Sequence, residues 1–218
     1  MDDASRVREF WFGPLVKSRL GAKSARTAAR PSDLGQRMNL WFGGGAPEGQ
    51  AQHDALIREK FSQLVERAKS GALTSWADSP RRLLSLIIVL DQFPRHIFRG
   101  QARAFSGDAQ ALGLALSGMQ SAADGALGTL ERMFFYMPLQ HSETQEVQDE
   151  SVAAYRRLLS EAPEDLRTVC QDALESALAH RDVIQRFGRF PARNRVLGRA
   201  STPEERAYLE SGGRTFGQ

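Results

Sequence analysis

The chain is nearly free of cysteine: Cys170 is the single one in 218 residues. That excludes a disulfide framework and a CxxC-type thiolate zinc cluster. Lysine is scarce too, with 4 among 29 basic residues, leaving 25 arginines. Long apolar runs are missing. The longest, Leu83 to Leu90, is broken by Ser85 and falls far short of the roughly 20 residues that cross a bilayer. No stretch alternates apolar and polar residues between turn signals, so little or no sheet is expected. The opening Met-Asp-Asp has no basic region followed by an apolar core. No secretory signal is therefore expected, and the expected location is cytoplasmic.

What is present fits one helical domain over 1–218, with a loop-rich stretch at 21–50. The net charge is +3, unevenly spread. Residues 141–175 hold nine acids and three arginines, whereas 180–199 hold six arginines and one acid. This segregation favours a local basic site over a uniformly basic coat, and nucleic acid is disfavoured as a partner.

Helix signals follow one another along the chain. Residues 4–12 read as a helix with Ser5 at its N-cap, stopped by Gly13-Pro14. Ile57, Phe61, Leu64, Val65 and Ala68 recur at helical spacing before Gly71. Ser79-Pro80 starts a helix running through Phe93, apolar nearly all round and so placed at the centre of the core. Further helices start near Asp108, at Thr129, at a Ser142–Gln145 capping box and after Pro163. The last opens with the capping box Thr202-Pro203-Glu204-Glu205. The expected fold is all-α, with about seven to nine helices stacked as antiparallel neighbours. Phe10-Trp11-Phe12-Gly13 is echoed by Leu40-Trp41-Phe42-Gly43, read as two aromatic-glycine turns that plug the core.

Three segments share a pattern of an apolar residue, a proline and then polar groups. They are Phe93-Pro94-Arg95-His96, Met137-Pro138-Leu139-Gln140-His141 and Phe190-Pro191-Ala192-Arg193-Asn194. Proline interrupts a helix, so each polar set is expected in a rigid turn at a helix terminus. If the three ends meet, they enclose Arg95, His141, Arg193 and Asn194. Asp91 ends the most hydrophobic helix and needs a partner; Arg95 is its i+4 neighbour, with Arg189 or Arg193 as alternatives. His180 lies on an apolar seam with Leu166, Val169, Ala173, Ala177, Ile184 and Phe187. A satisfied core histidine and a histidine reaching into a pocket both fit that position.

Several chemistries have no support. His141-Ser142-Glu143 and His180-Arg181-Asp182 do not chelate from one helix face, and HExxH is absent, so no metal is expected. There is no Gly-x-Ser-x-Gly elbow, no GxGxxG after a strand, and no Lys-Ser/Thr after Gly43-Gly44-Gly45. Cys170 reads as a packed apolar residue, and no cofactor is expected.

The segments LDQFPRHIFRG (90–100), AFSGDAQAL (104–112), FYMPLQHSE (135–143), HRDVIQRFGRFPARN (180–194) and LGRASTPEE (197–205), with FWFG (10–13), resemble an uncharacterised bacterial family, domain of unknown function family 924. The resemblance implies a tetratricopeptide-like helical fold and brings no established activity. It also implies that Asp91, Gln92, Arg95, Arg99, Asp108, His141, Ser142, Glu143, His180, Arg189, Arg193 and Asn194 matter. The chain departs from that pattern twice, with His96 where asparagine is expected and Ala192 where histidine is expected.

The leading expectation is a binding module for a small anionic molecule or a peptide carboxylate. Its ligand-binding candidates are Asp91, Arg95, Arg99, Glu143, Arg189, Arg193 and Asn194. The alternative is a hydrolase or lyase at the same place, with His141 or His180 as general base. A third reading is a protein-interaction scaffold.

Overall fold

The aromatic residues of α1 (Asp3–Phe12) explain how the chain starts to fold. In the computed structural model, which describes residues 1–16, 31–43 and 47–217, Trp11 and Phe12 are fully buried. They pack edge-on against Phe134, and Trp11 also meets Phe93. Trp41, near the end of α2 (Pro31–Phe42), packs against both Trp11 and Phe12. Its indole Nε1 donates to the Trp11 carbonyl at 2.9 Å. The two echoed motifs are thus helix ends that plug the core against one another. Gly13 and Gly43 follow them at φ 55° and 70°, where a side chain would be strained.

All described elements are helical, and no strand occurs among the described residues. α3 (Pro47–Lys69) is followed by a rod made of α4 (Pro80–Ile87), a π-helical turn (Ile88–Gln92) and α5 (Phe93–Ile97). Then come α6 (Asp108–Gln120), α7 (Thr129–Phe135), α8 (Met137–Gln140), α9 (Gln145–Ser160), α10 (Arg167–Phe187) and α11 (Pro203–Glu210). Counting α4–α5 and α7–α8 as one rod each gives nine helices among the described residues. The α4–α5 rod is the axis, with α1 and α6 packed on α4 and α3 packed on α5. α9 and α10 pair along their lengths and reach the rest of the fold through α8 and α7. Residues 83–94 are buried without a break, as the apolar run requires.

Some boundaries differ from the sequence reading. Asp2, not Ser5, caps α1, accepting from the Ser5 amide at 2.8 Å, because the carboxylate stands one turn nearer the helix start. The stretch 21–50 contains α2, Gly43 and the start of α3; the rest of it, 21–30 and 44–46, lies outside the described residues. α9 starts at Gln145 with Thr144 at the N-cap, and Ser142 Oγ accepts from the Thr144 amide instead of closing a capping box. The Thr202–Glu205 box forms as expected.

The main difference is at the prolines: none simply ends a helix. Pro94 continues the rod because the π turn ahead of it lets the Phe93 amide bond to the Ile88 carbonyl. The missing Pro94 N–H is thereby absorbed within the helix. The Asp91 carbonyl is taken by the Arg95 side chain at 2.7 Å. Pro138 and Pro191 each open a new short turn, α8 and the 3-10 turn Pro191–Arg193. The carbonyl of Leu90 sits so close to Gly107 that a Cβ there would lie 2.2 Å from it. Gly107→Ala must therefore move backbone at the π turn. A loss of about 3 kcal/mol in chemical denaturation is expected; an unchanged midpoint would show that this contact is soft.

Candidate functional site

The π turn aims two polar residues, Asp91 and Gln92, inward from the most apolar helix. Asp91 is fully buried. Its Oδ1 lies 2.7 Å from His141 Nδ1 at the end of α8, and its Oδ2 accepts from Gln92 Nε2 at 2.5 Å. Arg95 Nη1 lies 3.5 Å from Oδ1. Burial would push the Asp91 carboxyl up. Arg95, His141 and Gln92 outweigh it and hold the group well below the usual carboxylate range. An ionised carboxylate only accepts, so His141 Nδ1 carries the hydrogen and Nε2 is the lone-pair nitrogen. Burial, with Arg95 adding repulsion, lowers the His141 pKa against the pull of Asp91. The ring is neutral at pH 7.

The same arrangement occurs a second time. His96 Nδ1 lies 2.8 Å from Asp54 Oδ1. Asp54 also receives both arms of Arg99, at 2.6 and 2.9 Å, and Gln50 Nε2 at 3.0 Å. His96 too has its pKa lowered by burial, opposed by Asp54. His180 on α10 donates from Nδ1 to the Ser176 carbonyl at 2.8 Å, since a carbonyl can only accept. Its Nε2 is buried with no hydrogen-bond partner within the protein. Burial pushes its pKa down to about 3.

One cavity of about 300 Å³ is lined by Arg95, His96, Arg99, His141 and His180, with Gln92, Gln140 and Ser176 between them. Its size lies at the lower end of small-molecule sites. The C-terminal segment covers part of it. The Phe216 ring stacks on His180 at 3.6 Å between centroids, and the Gly217 carbonyl accepts from Arg99 at 3.3 Å.

The three proline turns do meet. Arg193 donates to the His141 carbonyl at 3.0 Å and lies 3.8 Å from Asp108, which takes both arms of Arg95 at 2.8 and 3.0 Å. Arg193 stands behind the cavity, its guanidinium on Phe190 and Phe105. Burial pushes its pKa down to about 10. Asp91, expected to bind ligand, touches His141 from outside the cavity lining, and three other candidates do not line the cavity either. Glu143 binds Arg199 with both oxygens, at 2.6 and 2.9 Å, and accepts the Phe190 amide. Arg189 is clamped on Glu205 at 2.6 and 2.9 Å. Asn194 donates to Glu205 and Ser201. Arg189 and Asn194 thus fasten the loop after α10 to Glu205 of α11, and Glu143 fastens the same loop to the turn before α9. Ala192 lies in the turn between these groups, whereas His96 is on the cavity wall.

The family described as bacterial protein of unknown function (DUF924) matches residues 7–213. The chain belongs to this family. A solved neighbour, the protein of unknown function ATU0120 from Agrobacterium tumefaciens, is 32% identical. That match covers 84% of this chain and all of the neighbour, with a TM-score of 0.67. No curated protein matches the chain.

Sequence reasoning missed Asp54, Gln140, Ser176 and Phe216 in this DUF924 member. Asp54 had a signal: it lies three residues before Ile57 on the apolar face of α3, where a carboxylate demands partners. Phe216 had none. Among the described residues no three His, Cys, Asp or Glu side chains are grouped to hold a metal, and no helix is long and apolar enough to cross a membrane.

Proposed function

We propose that the cavity is the site of a general-base reaction on a small acyl substrate, with His141 as the base and Asp91 as its positioning partner. One observation carries this reading: the 2.7 Å contact between a buried, ionised Asp91 and His141 Nδ1. It fixes the tautomer, so that the ring, kept neutral by its burial and by Arg95, presents a bare Nε2, and it holds that ring on a cavity wall. No serine, threonine or cysteine side chain is hydrogen-bonded to His141 among the described residues. The nucleophile that fits is water. His141 takes a proton from it, the oxygen attacks the acyl carbon, and the proton passes to the leaving group. Arg95 lines the cavity, and its Nε is a buried donor with no hydrogen-bond partner within the protein, suited to an acyl or carboxylate oxygen.

Binding of a small anion without turnover is the second reading, favoured by Arg95 and Arg99 in the cavity lining. It ranks lower because carboxylates already hold both guanidinium groups. The test is hydrolysis of short acyl esters and amides by the wild type and by His141→Gln. The variant is expected to lose about 10²–10⁴-fold in turnover with little change in KM. A wild type inert toward the whole panel, or a variant as active as the wild type, would sink the general-base reading.

A further inference from the structure

Next to the polar cavity runs a groove of about 250 Å³. Phe42, Met137, Gln140 and Ser176 line both, so the two spaces share a wall. The border is polar, with Ser176 Oγ donating to Gln140 Oε1 at 3.1 Å. Beyond it the lining changes to Met38, Met133, Val169 and Ala173, and Asp172 is the only charged residue on it among the described residues. Three methionines are flexible and polarizable, able to fit a chain of variable shape. A narrow concave space of this size takes the tail of a small molecule, not a helix or a protein face.

A second observation bears on the head group. Two buried atoms of residues that line the polar cavity have no hydrogen-bond partner within the protein: Arg95 Nε, a donor, and His180 Nε2, an acceptor. A head that both accepts and donates hydrogen bonds matches this pair of groups, and a carboxamide carries both functions in one planar group. A bare carboxylate offers only the acceptor.

We propose that the ligand is an amphiphilic acyl amide, its carboxamide in the polar cavity and its unbranched alkyl chain along the groove. This assignment rests on the acyl-substrate reading given above and narrows it. The hydrophobic contribution of each buried methylene corresponds to about a fourfold gain in affinity.

The experiment titrates the full chain calorimetrically with acetamide, butanamide and hexanamide, and repeats the series on Ala173→Leu, which narrows the groove at a partly exposed site. The expected result is a gain of about fourfold per methylene in the wild type, flattened in Ala173→Leu while acetamide is unaffected. Bound hexanamide should also slow acylation of His141 by diethyl pyrocarbonate, read by peptide mass. Equal affinity along the series, no binding of hexanamide, steps that persist in Ala173→Leu, or an unprotected His141 each overturn the amphiphile. The general-base reading is judged separately, by the loss of ester turnover in His141→Gln. A positive chain-length series with unaltered turnover in that variant would leave a binding protein for the same ligand.

Discussion

Acidification from about pH 7 to pH 5 is expected to cost this protein a large part of its stability, well before its carboxylates titrate. His96, His141 and His180 all have folded pKa values below the ordinary imidazole value of about 6.5. An imidazole of that kind binds its proton more readily in the unfolded chain. Its contribution to stability is complete above about pH 6.5 and declines as the pH falls further. The slope reaches about 1.4 kcal/mol per pH unit for each such group. For His180, with a folded pKa of about 3, the loss between about pH 6.5 and 5 is roughly 2 kcal/mol. His96 and His141 act in the same direction. Asp54 and Asp91 oppose nothing in this range, because their carboxyls are held well below the usual value and stay ionised in both states until about pH 4. A typical domain has only about 5–15 kcal/mol in all. Thermal melts between about pH 7.5 and 5 should therefore show a falling Tm, by about 4–8 °C for the His180 share alone. His180→Gln should flatten part of that slope. A Tm constant over the range would mean that the imidazoles take up protons in place.

The helical fold was legible because its signals are local. Ile57 to Ala68 and Leu83 to Leu90 mark buried faces by spacing alone, and the buried residues in the structure are the ones that spacing selects. The prolines also marked the right places, although for a different reason. At Pro94 the chain answers a missing N–H with a π turn, and this turn carries both Asp91, the partner of His141, and Gln92, which lines the cavity. Nothing near Pro94 announces that the Leu90 carbonyl of this turn lies against Gly107, where a Cβ would not fit. The site divides along the same line. Arg95, His141 and His180 were found from their positions after prolines or on a seam. The partner that makes His96 a second dyad, Asp54, lies 42 residues away and is brought in by the packing of α3 on α5. Arg189 and Asn194 share the composition of the cavity residues. Only the long-range pairing with Glu205 reveals that they tie down a loop.

Asp91→Ala is expected to destabilise the fold by about 3–5 kcal/mol, as removal of one partner from a buried charged pair does. The carboxylate serves three groups at once: His141 Nδ1, Gln92 Nε2 and the nearby Arg95. Without it the His141 N–H and the Gln92 amide lose the acceptor they share, while Arg95 keeps Asp108. Asp91→Asn separates the charge from the hydrogen bonds. One oxygen remains for His141 Nδ1, so the loss of stability should be smaller than for alanine. The electrostatic pull that raises the His141 pKa disappears in that variant, however, and its titration must move still lower. Urea denaturation gives the first quantity, and ¹⁵N chemical shifts of His141 against pH give the second. Asp91→Ala within about 1 kcal/mol of the wild type would mean that water replaces the carboxylate cheaply. A His141 titration unmoved, or raised, in Asp91→Asn would mean that the carboxylate does not govern the ring, and His141 would lose the feature that marks it as a base.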